Sequence, residues 1–201
     1  MSIQGLLYQN ATIYTLIMRI MYRGSYAERF EAIADSVKVR SSVLDLCCGP
    51  AILYFNYLRK KEVDYTGVDI NANFLRFIEQ RDGVALNLDI RTIPELPKAE
   101  TIIMQASLYH FLPNVEEIID KMLAAASEQV IIAEPIRNFA TNSNPFIAWL
   151  ARTISNPGTG DQHNRFTETT LDELMKKYQD RVIKSYYIPG EREKIYILKG
   201  G

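Results

Sequence analysis

The 201-residue sequence predicts an α/β fold in which a seven-stranded, mostly parallel sheet is covered by helices on both faces. Short apolar runs, typical of buried strands, alternate with segments of helical periodicity along most of the chain. Near the C-terminus only "PGERE" separates two such runs, and so short a connection joins antiparallel neighbours. We therefore expect one antiparallel strand near the C-terminal end of the sheet.

The predicted elements follow one another in a regular order. A first helix is indicated by apolar residues at helical spacing, inside an N-terminal helical cap of residues 1–40. The predicted strands cover residues 42–47, 64–69, 84–88, 101–105, 129–134, 182–188 and 194–198. The later predicted helices cover residues 51–60, 72–80, 115–126 and 168–178. Asn71 or Asn73 is expected to cap the second of these helices, and Thr167 the last.

Residues 135–166 do not belong to this alternation. They follow the fifth predicted strand and include "NPFIAWLARTIS" and "NPGTGDQHNRF". An insertion of this length in a compact domain is usually functional, so we predict a lid over a site.

Composition limits the class of protein. Hydrophobic residues make up 47% and charged residues 23% of the chain, which is typical of a globular protein, and the length suits one domain over residues 1–201. The net charge of −1 gives no electrostatic reason to expect a nucleic-acid partner. The two cysteines are adjacent, so no disulfide framework is expected, which favours a reducing, cytoplasmic setting. The oligomeric state is not indicated.

Carboxylates lie at or beside the ends of the first three predicted strands. Asp45, Asp69 and Asp89 lie 24 and 20 residues apart, each at the end of an apolar run. In an open parallel sheet, ligands bind at the carboxyl ends of the strands. Gly49 lets the backbone approach a ligand closely, and the following helix directs its partial positive charge towards the same place. This pattern predicts a ligand site, although Asp69 alone could be a turn residue and Asp89 alone a helix cap.

Four segments resemble the motif series of the class I S-adenosylmethionine-dependent methyltransferases: "VLDLCCGPA", "GVDIN", "LNLDI" and "MQASLYHF". The resemblance covers roughly residues 43–135 and implies a Rossmann-like three-layer sandwich with S-adenosylmethionine as cofactor. The family's loop reads acidic-x-Gly-x-Gly-x-Gly. In this sequence Cys47 and Ala51 take the first and third glycine positions, and Gly49 takes the second.

The resemblance implies ten cofactor-binding residues: Asp45, Cys47, Gly49, Pro50, Asp69, Ile70, Asp89, Ile90, Gln105 and Ala106. The loop of residues 45–51 would lie beside the methionine part, and Asp69 would accept hydrogen bonds from both ribose hydroxyls. Ile70 would touch the adenine, whose amino group would meet Asp89 and whose ring would meet the backbone amide of Ile90. Gln105 and Ala106 would close the site. The chemistry agrees, because a short carboxylate suits a vicinal diol and an acceptor suits an exocyclic amine.

The residues that bind the methyl acceptor are expected after the fourth and fifth predicted strands and in the lid. Methyl transfer is an in-line displacement that needs alignment and exclusion of water, with a base only where the acceptor holds a proton. The candidate catalytic residues are His110, Tyr109 and His163, and the tentative substrate residues are Glu134, Trp149 and Arg165. His110 could instead be a helix-end histidine bonded to backbone, and His163 could cap the lid. Arg165 could pair with an acidic substrate or with Glu134.

The predicted function is therefore methyl transfer from S-adenosylmethionine to a small-molecule acceptor. The apolar segments 13–22 and 146–154 could line a pocket for a hydrophobic acceptor, lie on a membrane surface or simply pack as a cap and a lid. An aminopropyl-type transferase and a non-catalytic binding module on the same fold remain alternatives. The identity of the acceptor and of the methylated atom is open, since substrate contacts sit on variable loops.

Other ligand classes fit the sequence less well. Asp69 lies 20 residues beyond Gly49, as in dinucleotide-binding loops, but the G-x-G-x-x-G pattern is absent. Cys47 and Cys48 lack C-x-x-C spacing and the chain has two histidines, so no metal site is predicted. A redox role for the adjacent thiols is conceivable, but small residues filling a cofactor loop are favoured.

Overall fold

The computed structural model describes residues 25–137 and 165–201, and within them seven strands form one sheet in the order β3-β2-β1-β4-β5-β7-β6. The strands are β1 Ser42–Leu46, β2 Asp64–Asp69, β3 Val84–Asn87, β4 Ala99–Gln105, β5 Ala126–Pro135, β6 Val182–Tyr187 and β7 Glu193–Lys199. Strand β7 is antiparallel to both β5 and β6, whereas the other neighbouring strands are parallel. The prediction of a mostly parallel sheet with one antiparallel strand is confirmed.

The helices lie close to their predicted positions. They are α1 Ser25–Asp35, α2 Ala72–Glu79, α3 Val115–Ala125 and α4 Glu168–Lys176. Asn71 caps α2 by accepting a hydrogen bond from the backbone N–H of Asn73 at 3.0 Å. Thr167 caps α4 in a reciprocal arrangement with Thr170, so both predicted caps are present.

The helix predicted over residues 51–60 has a different form. It contains a π-helical segment, Tyr54–Leu58, followed by a 3₁₀ turn, Arg59–Lys61. Ala51 itself has a left-handed φ of 52°, which is incompatible with a right-handed helix, so the helical segment starts after it. The π segment accompanies ring stacking of Tyr54 on Tyr65 of β2, with centroids 4.2 Å apart. The local sequence pattern does not reveal this tertiary contact, which accompanies the change from α-helical to π-helical geometry.

Alternate residues of the strands supply two hydrophobic cores, one on each face of the sheet. One face buries Leu44, Leu46, Ile102, Met104, Val130 and Ile132 beneath α3 and α4. The other buries Val43, Tyr65, Ile103, Ile131 and Ile197 beneath α1 and α2. Asp45 lies two residues after Val43 in β1, so its side chain is on the second face.

The strand order reverses direction at β1. The chain proceeds from β1 to β2 and β3 on one side, and then returns to β4 on the other. The cleft of such a sheet opens between the carboxyl ends of the two strands where the order reverses. We call this side the carboxyl edge of the sheet; Asp45, Asp69 and Gln105 lie at or near the ends of β1, β2 and β4 there.

Part of the predicted organisation falls outside the described residues. Residues 1–24 of the N-terminal cap and residues 138–164 of the predicted lid are not described, so the domain boundaries stay predictions. Over residues 25–137 and 165–201, no helix combines the length and apolar character needed to cross a bilayer.

Candidate functional site

The loop that follows β1, residues 47–51, has an alternating left-handed backbone. Cys47, Gly49 and Ala51 have φ values of 55°, 53° and 52°. This conformation is free for glycine but costs other residues roughly 1–2 kcal/mol each. Cys47 and Ala51 thus adopt the backbone conformation that glycine would adopt at the same positions. The loop keeps its glycine-type shape although two of its three left-handed residues carry a Cβ.

Asp69 joins this loop to the end of β2. Its Oδ2 accepts a hydrogen bond from the backbone N–H of Gly49 at 2.9 Å, and its Oδ1 accepts one from Asn71 at 2.8 Å. Burial raises the pKa of this carboxyl, while the backbone amides act in the opposite direction. Each carboxylate oxygen has two lone pairs, so each can accept a further hydrogen bond from a ligand. Asp69 is thereby oriented to meet a pair of neighbouring hydroxyls.

Three buried side-chain oxygens near the carboxyl edge have no hydrogen-bond partner among the described residues: Asp45 Oδ1, Gln105 Oε1 and Glu134 Oε2. They belong to β1, β4 and β5. Buried polar atoms in folded proteins are nearly always paired, so these oxygens indicate a missing partner. A ligand with N–H groups at this edge would supply donors to Asp45 and Gln105.

Asp45 is fully buried, and its Oδ2 accepts a hydrogen bond from the Tyr65 hydroxyl at 3.0 Å. Burial raises the pKa of Asp45 to about 7, although Tyr65 and Gln105 lower it. Tyr65 was not predicted as a site residue. Its only sequence signal is its position in the apolar strand β2, where the register places it beside Val43.

Glu134 fixes the loop after β4, residues 106–111. Its Oε1 accepts hydrogen bonds from the backbone N–H groups of Ser107 and Leu108, both at 2.7 Å. The side chain is fully buried, and burial raises its pKa to about 8. Its predicted role as a substrate residue stays a prediction, but its contacts show that it organises the segment that carries Tyr109 and His110.

Tyr109, His110 and Arg165 form a cluster beside this loop. The Tyr109 and His110 ring centroids lie 4.0 Å apart, and the Arg165 guanidinium lies 4.1 Å above the Tyr109 ring. Arg165 also donates to the Tyr109 hydroxyl at 3.2 Å. The pKa of His110 is lowered to about 4, first by burial and then by the charges of Arg165 and Arg91. His110 is therefore neutral at physiological pH and a weak base.

The residues predicted to contact adenine lie at the ends of β2 and β3. Asp89 forms a bidentate ion pair with Arg91, at 2.9 Å and 2.7 Å, which lowers the pKa of the Asp89 carboxyl. Ile70 is half exposed at 51%, and Ile90 is buried. An exposed apolar side chain beside Asp69 suits a planar ring, but the individual adenine contacts stay predictions.

Two predicted residues, His163 and Trp149, lie outside the described residues. The remaining predicted site residues lie at the carboxyl ends of β1, β2, β3, β4 and β5 and in the loops that follow them, except Arg165, which precedes α4. Within the described ranges, no three His, Cys, Asp or Glu side chains are grouped so as to hold a metal ion.

We expect Cys47 to react slowly with iodoacetamide although it is half-buried rather than enclosed. Burial raises the pKa of its thiol, and the nearby charges of Asp69 and Asp45 raise it further, whereas only the thiolate is nucleophilic. In a Cys48→Ser variant, labelling at about pH 8 should be at least about tenfold slower in the folded protein than in urea. Equal rates in the two conditions would contradict this electrostatic description of the loop.

Comparisons with known proteins indicate the family. A family model described as a methyltransferase domain matches residues 18–185. No curated protein matches the chain significantly in sequence.

Solved structures share the fold at low sequence identity. A protein from Pyrococcus horikoshii OT3 is 18% identical, with 90% of this chain and 91% of that chain covered and a TM-score of 0.64. Magnesium protoporphyrin IX methyltransferase from Synechocystis PCC 6803, solved with bound S-adenosylhomocysteine, is 15% identical, with 96% of each chain covered and a TM-score of 0.65. A 16S rRNA methyltransferase, also with S-adenosylhomocysteine, is 14% identical, with 90% of this chain and 64% of that chain covered and a TM-score of 0.58.

Proposed function

The chain belongs to the methyltransferase-domain family, within the class I S-adenosylmethionine-dependent methyltransferases, and we propose that it transfers the methyl group of S-adenosylmethionine to a small-molecule acceptor. The proposal is supported by two features that occur together at the carboxyl edge. The residue 47–51 loop has a glycine-type backbone, and Asp69 is held beside it by the Gly49 amide.

The residues present fit the cofactor. Asp69 has acceptor capacity left for the two ribose hydroxyls, and Ile70 offers an apolar surface next to it. The unpaired buried oxygens of Asp45 and Gln105 suit the ammonium of the methionine part. When bound, S-adenosylmethionine supplies an electrophilic methyl group on a positively charged sulfur.

The acceptor side would be formed by the loop after β4. Glu134 holds this loop through two backbone amides, which fixes the position of Tyr109 and His110. Neutral His110 can accept a proton from the acceptor, but its low pKa makes it a weak base. An acceptor atom that ionises readily, or that carries no proton, therefore suits this site better than an alcohol.

A small-molecule acceptor is supported by charge. The net charge of −1 offers no general attraction for a nucleic acid, and the similar Synechocystis enzyme acts on magnesium protoporphyrin IX, a small molecule. The similar 16S rRNA methyltransferase makes RNA the alternative to test. A cytoplasmic location stays a prediction.

The proposal is tested by calorimetric titration of the purified protein with S-adenosylmethionine and, separately, with S-adenosylhomocysteine. We expect micromolar binding of both, since the two ligands share the ribose and adenine that Asp69 and its neighbours would contact. Absence of binding by both would contradict the proposal and favour a non-catalytic binding module. A subsequent screen of small molecules and of ribosomal RNA, with the methylated product as readout, would separate the acceptor classes.

A further inference from the structure

Tyr109 holds the Arg165 guanidinium in place beside the proposed acceptor site. Arg165 is half-buried, lies over the Tyr109 ring and uses one N–H group to donate to the Tyr109 hydroxyl. A guanidinium has five N–H donors, so within the part of the chain that the structure describes most of its hydrogen-bonding capacity is left over. The contact joins residues 56 positions apart in sequence, and it fixes the guanidinium next to the loop that carries His110.

The charge of Arg165 is not neutralised by its described neighbours. Arg91, the other arginine that acts on His110, is engaged by Asp89 in a bidentate ion pair. Glu134 lies within electrostatic reach of Arg165, but burial raises its pKa to about 8, so this side chain is largely protonated at neutral pH. Among the described residues, no carboxylate forms an ion pair with Arg165.

We propose that the acceptor carries a carboxylate and that Arg165 binds this carboxylate with the N–H groups that Tyr109 leaves available, an inference that rests on the proposed function. A guanidinium matches the planar carboxylate in geometry as well as in charge. Because Arg165 is half-buried, water competes less for this pairing than it would on an open surface.

The carboxylate is an anchor and not the methylated group. Hydrogen bonds from a guanidinium occupy the lone pairs of the carboxylate oxygens and so reduce their nucleophilicity. The methylated atom is another part of the acceptor, which Arg165 orients, and no covalent bond forms at Arg165. Arg165 is thus a specificity-determining residue that selects anionic acceptors.

The test uses the protein loaded with S-adenosylhomocysteine and two matched pairs of fragments, benzoate with benzamide and phenylacetate with phenylacetamide. Binding is followed by ligand-observed NMR. We expect each acid to bind at least about tenfold more tightly than its amide, as a charge-assisted hydrogen bond implies. In Arg165→Gln this preference should disappear, and in Arg165→Lys part of it should remain.

The control variant is Arg40→Gln. Arg40 is an exposed arginine before β1, at the opposite edge of the sheet, and it pairs with Glu62. Its loss should leave the preference for acids unchanged. Equal binding of acids and amides by the unaltered protein, or no binding of any fragment, would overturn the inference while binding of S-adenosylhomocysteine still supports the proposed function. Failure to bind S-adenosylhomocysteine would overturn both.

Discussion

Replacing Asp69 with alanine should weaken binding of S-adenosylhomocysteine by at least about 100-fold, because the two charge-assisted hydrogen bonds that we propose between Asp69 and the ribose hydroxyls would be lost. The same carboxylate holds the Gly49 amide at 2.9 Å and the Asn71 amide at 2.8 Å. Its removal therefore also releases the residue 47–51 loop from the end of β2. Isothermal titration calorimetry measures the change directly.

The matched control is Asp64→Ala. Asp64 begins the same strand that Asp69 ends, and its side chain is exposed at the opposite edge of the sheet. Its replacement removes the same charge and should change the affinity by less than about twofold, as surface substitutions do. Asp69→Asn keeps an oxygen acceptor but loses the charge, so its affinity for S-adenosylhomocysteine should lie between those of Asp69→Ala and Asp64→Ala. An Asp69→Ala protein that binds within about threefold of the unaltered protein would show that Asp69 does not contact the ribose.

The sequence was most informative at the ends of the buried strands. Asp45 and Asp69 stand out because a carboxylate at the end of an apolar run has no role in packing, and parallel strands bring such ends together. The single antiparallel strand β7 followed from the short turn before it. Both inferences use local patterns with a direct physical meaning.

Contacts between residues distant in the sequence were harder to predict from local patterns. The Tyr65–Asp45 hydrogen bond depends on the register of β1 and β2, and the Arg165–Tyr109 contact depends on how the chain returns after β5. The left-handed backbone of Ala51 could not be read from its residue type, because alanine favours right-handed helix. Its conformation comes from the loop around it, whose Ala51 N–H donates to the Cys48 carbonyl at 3.0 Å.

The Asp45→Asn variant should be more stable than the unaltered protein near neutral pH and should lose this advantage in acid. Burial raises the pKa of Asp45 from 3.8 to about 7, so the folded chain keeps a proton that the unfolded chain releases between these values. The free energy of unfolding of the unaltered protein therefore falls as the pH rises from about 4 to 7. Asparagine does not ionise, and its oxygen can still accept the hydrogen bond from Tyr65.

The size of this stability difference follows from the shift in the pKa of Asp45. At about 1.4 kcal/mol per pKa unit, a carboxyl moved from 3.8 to about 7 gives an upper bound of roughly 4 kcal/mol. For a domain of this size, about 1 kcal/mol corresponds to about 2–4 °C in Tm. Thermal unfolding at about pH 5 and pH 8 should thus show a Tm advantage of Asp45→Asn that grows by several degrees at the higher pH.

Two further variants isolate the cause. Asp64→Asn removes an exposed charge from β2, so its Tm difference from the unaltered protein should be the same at both pH values. Glu134→Gln should behave like Asp45→Asn, because burial raises the pKa of Glu134 to about 8 and glutamine can still accept from Ser107 and Leu108. A Tm advantage of Asp45→Asn that is equal at the two pH values would mean that Asp45 does not ionise within this range.

A buried carboxyl that lowers stability near neutral pH is best explained by function. Stability and ligand affinity should therefore move in opposite directions in Asp45→Asn, since the asparagine cannot supply the anion that we propose faces the ammonium of the methionine part of the cofactor. The two properties separate the possible roles of Asp45. If Asp45 does not contact the cofactor, Asp45→Asn gains stability and leaves affinity unchanged, whereas if Asp45 does contact it, the variant gains stability and loses affinity. Asp45 Oδ1, which has no hydrogen-bond donor among the described residues, favours the second outcome.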